Sequence, residues 1–280
     1  MTYSQFEVRP MTGALGAEIL GLNLAEPMDD ATFEEFRQAW LENLVLFFRD
    51  QDLTPEQHLA FGKRFGEIDP SAYIPTLEGF EDIRVQDMAD ATQIGNDINW
   101  HCDNSFREYP QKCSALYAIR VPSGAGDTTW ANMYLAYELL SPTMRNFVDG
   151  LTAIHDLVET MGPGILKQYG PERWQSFRDR TPPVEHPVVR THPETGRKSL
   201  FVNRLMTSSI KDMRPAESAA LLEFLFRHCD QEELKCRFHW ENHSLAFWDN
   251  RCTIHRGIAD FYKERRIMHR VAITDDDRPH

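Results

Sequence analysis

The chain has no apolar run long enough to cross a bilayer: its longest, Leu44-Val45-Leu46-Phe47-Phe48, is strand-sized, against the roughly 20 residues a spanning helix needs. Met1 to Pro10 has no basic segment leading into an apolar stretch and a small-residue cleavage site, so no secretory leader is expected. Cysteine is sparse: the five residues, at 102, 113, 229, 236 and 252, are odd in number and show no CxxC spacing. That argues against a disulfide framework or a structural zinc knuckle and fits a reducing cytoplasm. Positive charge is also short. With 30 Lys+Arg against 43 Asp+Glu, the formal net charge is −13, which disfavours nucleic acid and anionic membrane surfaces as partners and, taken alone, counts against an anionic substrate as well.

What is present reads as globular. A chain of 280 residues, 41% hydrophobic and 26% charged, carries enough apolar material for a sizeable core. Neither a 20–50-residue repeat nor a low-complexity linker interrupts it, so residues 1–280 are read as one continuous domain with a mostly helical insertion at about 160–225.

Helices announce themselves by their caps. Asp29 and Asp30 precede Phe33, Phe36 and Trp40, which share one helical face. Thr54-Pro55-Glu56-Gln57 has the capping-box pattern, opening a helix to about Phe65. Arg214-Pro215 leads into an amphipathic stretch ending near His228. Most of the rest is short β-type segments: Leu44–Phe48, Ile83–Gln86, Cys113–Val121, Thr128–Ala131, Val184–Arg190, Leu200–Asn203, Arg237–Trp240, Ser244–Trp248 and Ile267–Thr274. His192-Pro193-Glu194-Thr195-Gly196 and Glu241-Asn242 are expected as hairpin connections. The pattern predicts a mainly β protein with flanking helices, a sandwich or barrel of the jelly-roll kind.

Three segments could carry chemistry. In Asn99-Trp100-His101-Cys102-Asp103 an extended backbone would put His101 and Asp103 on one face, a natural metal bite, with Cys102 turned away. The same tripeptide recurs at His228-Cys229-Asp230 on a helix end, where i and i+2 diverge by about 200° and cannot share a metal. That copy is read as structural, its histidine meeting free carbonyls. The first copy alone could equally be a hydrogen-bonded pair. His255, in Trp248-Asp249-Asn250-Arg251-Cys252-Thr253-Ile254-His255-Arg256-Gly257, supplies a candidate third ligand; two His and one carboxylate leave three adjacent positions open, as suits non-heme Fe(II). Arg266 and Arg270 share a face if their strand is regular. Two inward guanidiniums would need anions to meet them; the alternative is a solvated edge strand paired with the tail Asp275-Asp276-Asp277.

The ordered segments WHCDNSF, PSGAGDTTW, HPETGRKSLFVN, WDNRCTIHRG and RRIMHR resemble the taurine dioxygenase/2,4-dichlorophenoxyacetate dioxygenase family of Fe(II)- and 2-oxoglutarate-dependent oxygenases, from GAEILGLNL to RRIMHRVAI. The resemblance implies a double-stranded β-helix, with the iron ligands at His101, Asp103 and His255. It also implies 2-oxoglutarate as co-substrate, with Thr128 and Arg266 on its distal carboxylate, and O2 as oxidant. Arg270 falls where relatives meet the anionic head of their primary substrate, and relatives are commonly dimers or tetramers. Asp103 speaks against a halogenase, which has a small residue there. The pocket departs from taurine-specific members: Phe65-Gly66-Glu67 is followed by Tyr73 without the matching His, and Asp97 stands where an Asn is expected. The expected activity is hydroxylation of a C–H bond in a small anionic substrate, a sulfonate, alkyl sulfate or aryloxyalkanoate, releasing succinate and CO2. A cupin-like lyase or isomerase using the same ligands without 2-oxoglutarate, and a non-catalytic sensor, are the competing readings.

Overall fold

The computed structural model of the protein describes residues 3–70 and 75–280. The N-terminal part contributes strands β1 (Glu7–Pro10), β2 (Ala17–Leu20) and β3 (Val45–Phe48), with helix α1 (Asp30–Asn43) between the last two. Asp29 caps α1 by accepting a hydrogen bond from the Thr32 amide, satisfying one of the free donors at the helix start. Helix α2 (Pro55–Lys63) opens on the expected reciprocal Thr54/Gln57 box. Strands β4 (Thr76–Leu77), β5 (Phe80–Met88) and β6 (Gln111–Arg120) follow, then β7 (Thr128–Asn132).

The middle of the chain is more mixed than its composition predicts. Helices α3 (Met133–Glu138) and α4 (Pro142–Val148) lead to β8 (Thr152–His155) and the pair α5 (Leu157–Tyr169) and α6 (Pro171–Arg180). Then come β9 (Val184–Pro187), β10 (Val189–Thr191), β11 (Lys198–Leu200) and β12 (Thr207–Ile210), before α7 (Pro215–Cys229). The stretch 160–225 is thus helical at its two ends and strand and loop between them. The expected strand over 184–190 divides at Val188, whose neighbours pair in different directions: β9 with β8, and β10 with β11 around the expected 192–196 turn.

The last four strands are β13 (Lys235–Phe238), β14 (Leu245–Asp249), β15 (Thr253–Gly257) and β16 (Arg266–Thr274). Two sheets matter for function. The larger has the order β1-β2-β3-β14-β6-β16-β5-β4, and the smaller β13-β7-β15. The Glu241-Asn242 connection is therefore not a hairpin turn: β13 pairs with β7, while β14 pairs with β3 and β6 in the other sheet. A two-residue polar turn signal carries no information about which sheet the next strand joins.

Strand alternation divides the core into two layers. Leu46, Phe48, Ala115, Tyr117 and Phe247 point to the helix side, where they pack on Phe36, Trp40 and Phe61 of α1 and α2. Phe47, Leu116, Ala118, Ala246, Trp248 and Met268 point the other way, meeting Trp130 and Phe238 of the smaller sheet. The space between the sheets at the Trp248 and Met268 end is where polar side chains begin.

Candidate active site

His255 stands on β15, in register with Trp130 of β7, so it faces between the sheets as Trp130 does. His101 is joined to it by an isolated antiparallel bridge: the His101 amide donates to the His255 carbonyl at 3.0 Å, and the His255 amide to the His101 carbonyl at 2.8 Å. The chain then turns at Asp103 rather than running on as a strand. Cys102 points away as expected, its Sγ donating to the Asn250 carbonyl at 3.0 Å.

The three candidate ligands converge. Their donor atoms lie within 4.8 Å of one another and all three side chains are buried; His255 Nε2 is 3.8 Å from Asp103 Oδ1, and the two imidazole centroids are 4.2 Å apart. The His101 Nδ1 lies 2.8 Å from the Asn99 carbonyl. A bond there makes Nδ1 the protonated nitrogen and leaves the Nε2 lone pair free, the tautomer a metal requires. Burial, reinforced by His101 nearby, pushes His255 down to about 3, so its imidazole is neutral. Burial alone would raise the Asp103 carboxyl; Arg270, the two imidazoles and the Ser114 hydroxyl outweigh it and hold Asp103 below the usual carboxylate range. Arg270 Nη1 donates to Asp103 Oδ1 at 2.8 Å and Ser114 Oγ to Oδ2 at 3.1 Å. A deprotonated carboxylate and two imidazoles on one face fit a divalent transition metal with open positions.

β16 is central, between β6 and β5, not an edge strand. Arg266 and Arg270 both face inward and line one pocket with His101, His255, Thr128 and Asp97. The tail aspartates are taken by another side chain: Asp275 pairs with Arg190 at 2.7 Å. Five arginines are buried, Arg84, Arg190, Arg251, Arg266 and Arg270. Four meet a carboxylate: Asp69 at 2.8 Å, Asp275 at 2.7 Å, Asp249 at 2.7 Å and Asp103 at 2.8 Å. Among the described residues Arg266 meets none, and its Nε has no hydrogen-bond partner. Burial lowers it only to about 10, with Asp97 and Asp127 supporting the charge, so it remains a cation. Thr128 on β7 is held by the Trp240 indole, which donates to its hydroxyl at 3.0 Å. Gly126, two residues earlier, has φ +74°, and a Cβ there would lie 3.2 Å from Arg266 Cδ; glycine leaves room for the arginine stem.

The second HxD copy is structural. His228 lies 2.7 Å from the Ala136 carbonyl in the last turn of α3, and Asp230 accepts from the Trp100 indole and pairs with Lys235. Tyr73 lies outside the described residues. Supporting residues escaped the sequence reading. Asn250 accepts from the Asp103 amide and the Trp248 indole and donates to Ser114, and Gln86, Leu116 and Trp248 also line the pocket. Only Asn250 had a local signal, its place in the polar turn after an apolar strand.

Two layers of β-sheet enclosing a face of two histidines and a carboxylate beside an unpaired arginine form the arrangement of a non-heme iron oxygenase that uses a 2-oxo acid. Residues 7–272 match the model of the taurine catabolism dioxygenase TauD, TfdA family. The chain belongs to that family of iron- and 2-oxoglutarate-dependent dioxygenases. It is 34% identical to the (S)-phenoxypropionate/alpha-ketoglutarate-dioxygenase of Sphingobium herbicidovorans over 278 residues, covering 97% of this chain and 96% of that one. It is 31% identical to the alkylsulfatase of Acinetobacter baylyi over 277 residues, 97% of this chain and 86% of the relative. The crystal structure of AAD-2 in complex with Mn(II) and N-oxalylglycine superposes with a TM-score of 0.85 at 28% identity, covering 99% of this chain and 100% of the other.

Proposed function

We propose that His101, Asp103 and His255 hold Fe(II), that Arg266 and Thr128 fix the distal carboxylate of 2-oxoglutarate, and that Arg270 orients the anionic head of a small primary substrate. The observation that carries this reading is Arg266, a buried cation with no carboxylate partner of its own, since such a charge is stable only where an anion comes to meet it. When bound, the iron and 2-oxoglutarate supply O2 activation, with decarboxylation of the co-substrate to succinate and CO2 and hydroxylation of a C–H bond. The chain's own part is placement. Ser114 and Arg270 keep Asp103 ionised and fixed in direction. The Trp248 indole, 1% exposed and with its centroid 4.9 Å from that of His255, excludes water behind the metal face.

The named relatives act on alkyl sulfates and aryloxyalkanoates, and a guanidinium at Arg270 suits a sulfonate, sulfate ester or carboxylate head. Asp97 lines the same pocket and, with Tyr73, belongs to the proposed substrate-binding set. The two facing sheets support a double-stranded β-helix core for one domain spanning 1–280. A dimer or tetramer and a cytoplasmic location complete the reading; no helix among the described residues is long and apolar enough to cross a membrane. Anaerobic protein with Fe(II) and 2-oxoglutarate should show a weak visible charge-transfer band, lost in His255→Ala; no band in the intact protein overturns the assignment. Succinate release across sulfonates, alkyl sulfates and aryloxyalkanoates identifies the substrate.

A further inference from the structure

Asp97 and Arg266 line the same pocket, and their relation is unlike that of any other buried arginine and its acid. Asp97 sits in the 3-10 turn Gly95–Ile98, which lies close over β15. The Ile94 side chain would be 2.8 Å, and the Asp97 carbonyl 3.8 Å, from a Cβ placed on Gly257. The same segment is anchored by Ala91 and Ile94, which pack on Met88 and Phe261. The turn is therefore held against the pocket rather than hanging free above it. Two carboxylates act on Arg266 through space, Asp97 and Asp127. Asp127 is committed elsewhere, accepting from His239 Nδ1 at 2.8 Å and from Arg237 Nε at 2.6 Å. Among the described residues Asp97 has no ion pair, so it shares the pocket with Arg266 as a second charged side chain without a partner.

We propose that Asp97 is a specificity-determining residue for the co-substrate, a built-in counter-charge that sets how tightly, and with what charge selectivity, the Arg266 subsite takes a 2-oxo acid. The proposal rests on the reading that Arg266 receives the distal carboxylate. Without ligand, Asp97 offsets the burial of an unpaired guanidinium. When a dicarboxylate enters, its far carboxylate meets Arg266 and Asp97 together, attracted by one and repelled by the other. A 2-oxo acid lacking the far carboxylate feels neither. Occupancy of the subsite therefore follows co-substrate supply over a higher concentration range than Arg266 alone would give.

The test is calorimetric titration of the Mn(II)-loaded protein, which binds without turning over, with 2-oxoglutarate and with 2-oxobutanoate. Asp97→Asn should bind 2-oxoglutarate about tenfold more tightly, the order of effect expected when one like charge acting through the protein interior is removed. Its affinity for 2-oxobutanoate should stay within about twofold. The unliganded variant should melt lower than wild type, and the upward shift produced by 2-oxoglutarate should be larger. Unchanged or weaker 2-oxoglutarate binding, or equal shifts for the two acids, overturns the proposal; Asp97→Ser serves as the second variant if the first folds poorly. Arg266→Ala separates the two layers of inference. If it binds 2-oxoglutarate as wild type does, the reading of Arg266 fails and this proposal with it; if it loses binding while Asp97→Asn behaves as wild type, only the role of Asp97 fails.

Discussion

Among the described residues two buried groups have the composition of a metal site, His101, Asp103 and His255 in one, His192, Asp249 and Cys252 in the other. They differ in what their lone pairs are doing. His192 Nδ1 accepts from the amides of Glu194 and Thr195, both at 3.2 Å, so its Nε2 carries the proton and donates to Asp249 at 3.1 Å. Asp249 is also saturated by the Arg251 guanidinium at 2.9 and 2.7 Å, and Arg251 continues to Glu194 at 2.6 Å. Every charge has its opposite and no imidazole lone pair remains. In the first group the tautomer at His101 leaves Nε2 open, and the cation next door, Arg266, has no partner. Ligand composition does not distinguish the two groups; unspent acceptors and an unmet charge do.

The comparison breaks most visibly at the ligands. His255→Ala should abolish Mn(II) binding by calorimetry and lower substrate-dependent succinate release by at least about a thousandfold, because one of the three proposed ligands is gone. His192→Ala should leave the metal titration unchanged. If instead His192→Ala weakens Mn(II) as His255→Ala does, the second group binds metal after all. Next in size is Asp249→Asn, which leaves Arg251 with Glu194 as its remaining carboxylate. Breaking a buried pair on one side costs about 3–5 kcal/mol, read as a lower midpoint in urea with metal affinity intact.

Arg266→Ala has the opposite profile. It removes a charge that has no partner in the unliganded protein, so stability should hold or rise, while the apparent affinity for 2-oxoglutarate falls by roughly 30- to 150-fold, about 2–3 kcal/mol for a charge-assisted bond. A variant destabilised as much as Asp249→Asn would mean that Arg266 is structurally paired. The smallest effect concerns protons. Burial lowers His255 and His155 to about 3 and His58 and His186 to about 4. Each is neutral when folded and binds a proton once unfolded. Their stability contribution is therefore full above about pH 6.5 and is lost as pH falls toward 3 to 4, at about 1.4 kcal/mol per pH unit for each. Metal-free protein should show a melting temperature that drops steeply below pH 6, with a shallower slope in His155→Gln; identical slopes would show that His155 is not buried neutral.

Much of this was readable from the chain because it was local. Caps fixed the starts of α1 and α2, β-type composition between turn residues placed β6, β14 and β16 to within a few residues, and the 192–196 turn joined neighbouring strands as expected. What failed was non-local. Glu241-Asn242 has turn chemistry, but partner choice for β13 and β14 depends on strands more than a hundred residues away. The same limit hid Ser114, Asn250 and Trp248, ordinary residues whose importance lies in where Asp103 and His255 are brought. Conversely, Arg266 was legible as a candidate and ambiguous as a role until β16 proved to be central, since the sequence cannot say which face of a strand has water on it.

One detail reaches beyond equilibrium. His101 and His255 are bridged backbone to backbone across more than half the chain length, and Arg266 and Arg270 arrive on the last strand. During synthesis the first two proposed iron ligands emerge long before the third, and Arg266 and Arg270, proposed to meet the co-substrate and the substrate, come later still. No chain that stops before His255 carries all three proposed iron ligands, and none that stops before the last strand carries the two arginines. On the proposed assignment the nascent protein is thus unable to run oxygen chemistry for most of its synthesis, and competence waits for the closing strand.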